Sequence, residues 1–180
     1  LKPSMKPESQ STVRVAEIVS TLDVEIARIT ESMLRAVPTR LAESIRYSLL
    51  GPGKRIRPRL TMATGEALGL SNEVTLKIAT AMEMTHAYTL IHDDLPAMDD
   101  DDFRRGRPTN HKVYGDGIAL LAGDSLALLA PEVLLGLREQ LPADRVVALT
   151  LALLGSAGSH GVIAGQAAEM ALVSSTENGL

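Results

Sequence analysis

Apolar residues return every three or four positions from Val15 through Ile18, Val19, Leu22, Ile26 and Ile29 to Met33, which is one face of an amphipathic helix. Pro38 closes the connection after it, and Thr39 stands where an N-cap would open a second helix running to Leu50. Gly51-Pro52-Gly53 marks a turn, and another helix is predicted from Pro58 to about Leu68. Residues 72–94 contain neither Gly nor Pro and read as one helix, roughly 33 Å long at ~1.5 Å per residue, enough to cross a domain. Pro96 ends or kinks it. A polar loop through Gly106 and Pro108 then leads to two Ala- and Leu-rich runs, residues 117–137 with a kink expected near Pro131, and residues 146–168. Strict alternation is absent, β-branched clusters are few, and no internal repeat or heptad register is present. The pattern predicts an all-α fold of helices packed on one another.

Composition narrows this picture. A chain of 180 residues with 45% hydrophobic and 22% charged positions suits one domain with a continuous core. Aromatics amount to 2% with no Trp, and the net charge is −4, so neither a base-stacking platform nor a broad phosphate-backbone footprint is available for nucleic acid. There is no Cys for a disulfide or a thiolate metal site. The polar, Pro-containing stretch 1–11 has no apolar run of signal-peptide length and is expected to be a disordered tail, with the domain covering 12–180. The uncharged stretch 146–168 is long enough to span a membrane. Its four Gly, two Ser, His160 and Gln166 point instead to a tightly packed buried helix, and a cytoplasmic location is expected.

The chemistry concentrates in residues 85–112, THAYTLIHDDLPAMDDDDFRRGRPTNHK. Asp93, Asp94 and Asp99 form Asp-Asp-x4-Asp, followed by Asp100, Asp101 and Asp102. Hard oxygen donors at this density suit Mg²⁺, which keeps several waters and shares its shell with substrate phosphates. A solvated acidic loop is the plain alternative. An EF-hand is excluded by the missing glycine and terminal Glu. His92-Asp93, with His86 and His111 near, suggests a phosphohydrolase pair, but that chemistry leaves the basic groups unexplained.

Those groups change the balance. Arg104, Arg105 and Arg107 follow the acids at once, and Lys54, Arg55, Arg57 and Arg59 follow the Gly-Pro-Gly turn. A guanidinium grips phosphate through paired charge-assisted hydrogen bonds. Singly, each is as well explained by solvation or a salt bridge. Two basic sets with one acidic set suggest two diphosphates, one held through metal and one held directly. His86 precedes Asp93 by seven residues, about 20° apart around a helix, with Thr89 between them on nearly the same face. It is either a core histidine or a ligand-binding one.

Together these residues resemble the trans-prenyl diphosphate synthases (polyprenyl synthetases) over residues 44–170. GPGKRIRP is similar to the family's Gly-Gly-Lys-Arg-x-Arg-Pro element, HDDLPAMDDDDFRRGRPTNH to its first aspartate-rich motif, and GQAAEM to its Gly-Gln-x-x-Asp-Leu element. The resemblance implies an isoprenoid synthase fold, helices around a central cavity. It implies a Mg²⁺-dependent enzyme joining isopentenyl diphosphate to an allylic diphosphate, dimethylallyl or geranyl, with release of pyrophosphate, which is thought to take the proton. It also implies a homodimer.

Carried over by position, Asp93 and Asp99 would ligate Mg²⁺ with Asp94 in the same shell, and Arg104 would hold the allylic diphosphate. Lys54, Arg57, His86 and Arg105 would hold isopentenyl diphosphate. Gln166 and Glu169 would face the metal side. Arg55, Arg59, Arg107 and Asp100 to Asp102 are left as support or solvated charge. Tyr88, five residues before Asp93, and Thr89 would limit product length, although ordinary core packing explains Tyr88 as well. The insertion Pro96-Ala97 resembles bacterial farnesyl-type and plant geranylgeranyl-type enzymes, so farnesyl diphosphate is the first expectation and geranylgeranyl diphosphate the second.

Two departures qualify the resemblance. Pro52 replaces the first glycine of the pair, fixing φ and removing an N–H that a diphosphate would use. The family's second Asp-Asp-x-x-Asp motif, on the far side of the cavity, does not occur in these 180 residues. The sequence is therefore expected to be the N-terminal portion of the fold, poorly active or inactive by itself. A non-catalytic regulatory or binding subunit of the same fold is the rival expectation.

Overall fold

The computed structural model describes residues 10–177, and the helices expected from periodicity are present among them. In chain order they are α1 (Gln10–Met33), α2 (Thr39–Leu49), α3 (Ile56–Ala67), α4 (Asn72–Asp93), α5 (Asn110–Tyr114), α6 (Asp116–Leu135), α7 (Ala143–Ala157) and α8 (Val162–Glu177). Of the tail expected at 1–11, residues 1–9 lie outside the described residues, while Gln10 and Ser11 belong to the first turn of α1. Helix α2 starts at Thr39, with Pro38 in the cap position expected for Thr39. Helix α3 starts at Ile56, two residues before Pro58, which places Pro58 in the first turn where its missing N–H costs nothing.

Helix α4 is the axis of the molecule. Ser71 caps it by accepting from the Val74 amide at 3.3 Å. Burial runs round it, from Val74 and Ala79 through Ala81, Met84 and Ala87 to Ile91, as expected of a helix enclosed by others. Its threonines are accommodated because Thr75, Thr80 and Thr85 each donate to the carbonyl four residues back, at 2.9 Å. The most extensive packing is against α6, whose small residues Ala119, Ala122, Gly123 and Ala130 allow close approach, and then against α3. The α3 crossing depends on Gly65, where a Cβ would meet Thr75 Oγ1 and Cγ2 at 2.4 Å. Leu22, Ile26, Ile45, Leu49, Met84 and Leu126 complete the buried centre.

Helix α6 runs to Leu135 with Pro131 inside it, the position where a kink is expected. Two features differ from the expectations. The run 146–168 is two helices separated at Gly158–Gly161, and it is not buried. Only Val146, Thr150 and Leu153 of α7 are covered, whereas Val147, Leu151 and Leu154 of α7 and Val162 and Ile163 of α8 are exposed. Two stretches, Asp116–Glu139 and Ala143–Leu172, are long and apolar enough to cross a membrane by length and composition alone, but the first packs its small-residue face on α4 and the second is interrupted. Finally, the polar loop holds a two-stranded hairpin, β1 (Phe103–Arg104) against β2 (Arg107–Pro108), in register Phe103 to Pro108 and Arg104 to Arg107. Its turn residues Arg105 and Gly106 both have positive φ, 53° and 76°, the geometry of the tight turn that matches strand twist.

Candidate active site

The acidic end is made by the way α4 stops. Asp93 is its last residue and Asp94 its cap. Pro96 forbids further helix, and the chain folds back so that the Met98 amide bonds to Leu95 O at 2.8 Å and the Asp99 amide to Asp93 O at 2.9 Å. The closure brings Asp99 beside Asp93. Burial, and then the charge of Asp99, hold the Asp93 carboxyl above the usual carboxylate range, with Arg104 pulling the other way. Gln166 of α8 donates its amide to Asp93 Oδ1. Asp94 is turned inward, where it accepts from Arg104 Nε and Nη2, both at 2.6 Å. Burial raises its pKa, against the opposing effect of Arg104. Asp100, Asp101 and Asp102 are exposed, and Asp102 is paired with Lys112 at 2.7 Å.

Among the described residues no three Asp, Glu or His side chains converge closely enough to form a metal cage by themselves. The donors of Asp93 and Asp99 are nevertheless hard oxygens in mutual repulsion, and a divalent cation that keeps water and takes phosphate oxygens would relieve that repulsion. The residues present fit such an ion. Asp94, expected in the same shell, is engaged by Arg104 instead, and Glu169 is exposed on α8.

The basic end lies about two turns of helix away, at His86. His86 Nε2 stands 3.3 Å from Arg57 Nη1 and 3.4 Å from Arg105 Nη2. Burial first, then Arg57, push its pKa below the ordinary histidine value, while Glu83 opposes them. Lys54 is exposed at the rim of a cavity of about 390 Å³ that Gly53, Arg57, His86 and Arg105 also line. Arg105 Nη1 donates to the carbonyl of Pro52 at 3.0 Å. The proline at that position therefore still anchors the hairpin, since the contact uses its carbonyl and not the missing N–H. The hairpin turn serves both ends, with Arg104 on the acids and Arg105 at His86.

Adjoining the basic end is an apolar cavity of about 320 Å³. One stripe of α4, Ile78, Met82, Thr85 and Thr89, forms a wall, with Leu134 and Leu149 opposite and His86 and Arg57 at the mouth. Thr89 is in that wall. Tyr88 is not; it is buried, its hydroxyl donates to Ala157 O at 3.1 Å, and its ring meets His92 edge-on at 5.9 Å.

An acidic helix end, two guanidinium sets and an apolar chamber on one helix face agree with one match. The sequence model of the family described as Polyprenyl synthetase covers residues 38–178. The chain belongs to the polyprenyl synthetase family. It is 48% identical over 134 residues to a farnesyl diphosphate synthase of Geobacillus stearothermophilus, covering 74% of this chain and 45% of that protein. It is 44% identical over 142 residues to a chloroplastic geranylgeranyl pyrophosphate synthase of Capsicum annuum, covering 79% of this chain and 38% of that one. The crystal structure of a FPP/GFPP synthase from Zymomonas mobilis superposes with TM-score 0.81 at 38% identity, covering 88% of this chain and 58% of that chain. The chain thus spans about half the length of the relatives it matches.

Some contributors to this polyprenyl synthetase site were not visible in the sequence. Asn110 is buried and clamps the acidic loop to α2, donating to Ser44 O at 2.9 Å and Ser48 Oγ at 2.8 Å and accepting from Ser44 Oγ at 2.7 Å. Thr109 Oγ1 donates to Asp101 O at 2.7 Å. Neither side chain has a sequence signal apart from its place after Pro108. Arg55, left above as support or solvated charge, is buried.

Proposed function

We propose that the protein is a trans-prenyl diphosphate synthase that condenses isopentenyl diphosphate with an allylic diphosphate, dimethylallyl or geranyl. The observation that carries this reading is the pairing of an acidic and a basic recognition site on one face of α4, seven residues apart at Asp93 and His86, over an apolar cavity.

In this reading Lys54, Arg57 and Arg105 hold the diphosphate of isopentenyl diphosphate at the basic end, with the neutral His86 ring fixing the spacing of the two arginines. Asp93 and Asp99 hold Mg²⁺, and Arg104, braced by Asp94, faces the allylic diphosphate. Bound there, Mg²⁺ would supply charge stabilisation to the departing diphosphate. Arg104 adds a fixed positive charge that is worth more to the leaving group than to the bound ester. The allylic C–O bond breaks, the isopentenyl double bond attacks the resulting carbon, and a proton leaves with the pyrophosphate. The walls formed by Met82, Leu134 and Leu149 keep water from that carbon.

Farnesyl diphosphate is the proposed product. Tyr88 does not line the chamber, but it anchors Ala157, which does, by donating to its carbonyl at 3.1 Å, and a wall held in place there favours a shorter chain. Geranylgeranyl diphosphate is the alternative, since both kinds of synthase are among the relatives. Incubating the protein with isopentenyl diphosphate, dimethylallyl or geranyl diphosphate and Mg²⁺, then identifying prenyl products by mass, tests the reading. A fifteen-carbon product supports it, a twenty-carbon product corrects the length, and absence of condensation with bound substrates favours a non-catalytic subunit.

A further inference from the structure

Of the basic run after the glycine turn, Lys54 and Arg57 are exposed, while the side chain of Arg55 is only 3% exposed. Its backbone is left-handed, φ 47° and ψ 39°, a conformation that is strained for a residue with a Cβ. Three partners hold it there. Nε donates to Asp23 Oδ1 at 2.7 Å, Nη1 to Glu83 Oε1 at 2.7 Å, and Nη2 to Gly51 O at 2.9 Å. They come from α1, from α4 and from the turn itself. Glu83 is buried too, with 5% of its side chain exposed. Every nitrogen of the guanidinium is engaged by protein, so Arg55 is not the group that grips an anion.

Its place in the chain gives it another use. Lys54 precedes it, Arg57 is two residues on, and its carbonyl accepts the Arg59 amide at 3.0 Å within the first turn of α3. Glu83 stands one helical turn before His86. The left-handed residue sends one side chain inward while leaving its basic neighbours outside. A buried ion pair contributes little net stability, because desolvation offsets most of the attraction; what it fixes well is geometry.

We infer that Arg55 and Glu83 are positioning residues for diphosphate recognition, with Asp23 bracing Arg55: the buried pair sets where the glycine turn rests on α4 and so the spacing of Lys54, Arg57 and His86. This rests on the basic cavity being a diphosphate site. Asp23 lies outside the family-matched span 38–178, so α1 contributes to the site from beyond it.

Calorimetric titration with inorganic pyrophosphate separates the two claims, run without Mg²⁺ for the basic cavity and with Mg²⁺ for the acidic end. The double variant Arg55→Met/Glu83→Leu removes both charges at similar volume and is expected to fold with a melting temperature near the parent's. It should bind metal-free pyrophosphate about tenfold more weakly or worse, with the Mg²⁺-dependent event changed by less than about twofold. Arg55→Lys keeps the charge, loses the fork, and should show the same selective loss; it decides the question if the double variant does not fold. Should the parent fail to bind metal-free pyrophosphate, or Arg57→Ala bind it as the parent does, the site reading falls and this inference with it. Binding that is lost in Arg57→Ala but unchanged in the Arg55 variants overturns the positioning role alone. Equal losses at both ends overturn it as well, because general loosening has that effect.

Discussion

The amide of Asp99 donates to the carbonyl of Asp93 at 2.9 Å. The outer acids of Asp-Asp-x4-Asp are therefore held together by backbone, against the repulsion of their own side chains. Asp93→Asn keeps an acceptor for Gln166 and removes one charge. Because burial and Asp99 raise the Asp93 pKa, its ionised form costs stability at neutral pH, and the variant should fold at least as stably as the parent. It should lose the further rise in melting temperature that Mg²⁺ adds to pyrophosphate alone in the parent, a stabilisation of about 2.7 kcal/mol at a ligand concentration a hundredfold over Kd. An undiminished rise in a thermal-shift series would remove Asp93 from the metal site.

His86 makes stability depend on pH with a definite sign. Its folded pKa lies below the ordinary 6.5, so between the two values the unfolded chain binds more protons. Its contribution is present above about 6.5 and is lost as pH falls through the folded value. Urea denaturation at pH 7.5 and 5.5 should show a larger loss for the parent than for His86→Gln. Pyrophosphate, by offsetting Arg57 and Arg105, should raise the imidazole pKa seen by NMR.

Gly65→Ala tests the packing that carries α3 to the site. The added methyl meets Thr75 Oγ1 and Cγ2, and Thr75 Cβ itself at 3.0 Å; Thr75 is buried and bonded to Ser71 O, so it has no free rotamer. Overpacking of about 1–3 kcal/mol should exceed the helix-propensity gain of about 1 kcal/mol. Chemical denaturation should show a net loss of stability. An increase would mean that α3 is free to move away from α4.

Much of this arrangement was legible because it follows from helix period and proline. The register of His86, Thr89 and Asp93 needs only an uninterrupted helix, and Pro96 marks where the chain folds back. Arg55 was not legible, since in a run of four similar cations nothing in side-chain type distinguishes the one whose backbone turns left-handed. The hairpin was hidden because its strands are two residues each, too short to show alternation. Gly158 and Gly161 looked like close-packing residues of one buried helix, yet they end α7 and precede α8. Composition gives small residues no means of telling a helix break from a helix contact.

Pyrophosphate stoichiometry with and without Mg²⁺ tests most directly whether one helix face carries two separate diphosphate sites. Calorimetry should find two events per chain with the metal and one without it, the metal-dependent event vanishing in Asp93→Asn and the other in Arg57→Ala. A single event abolished by both substitutions, or no event at all, would contradict the account.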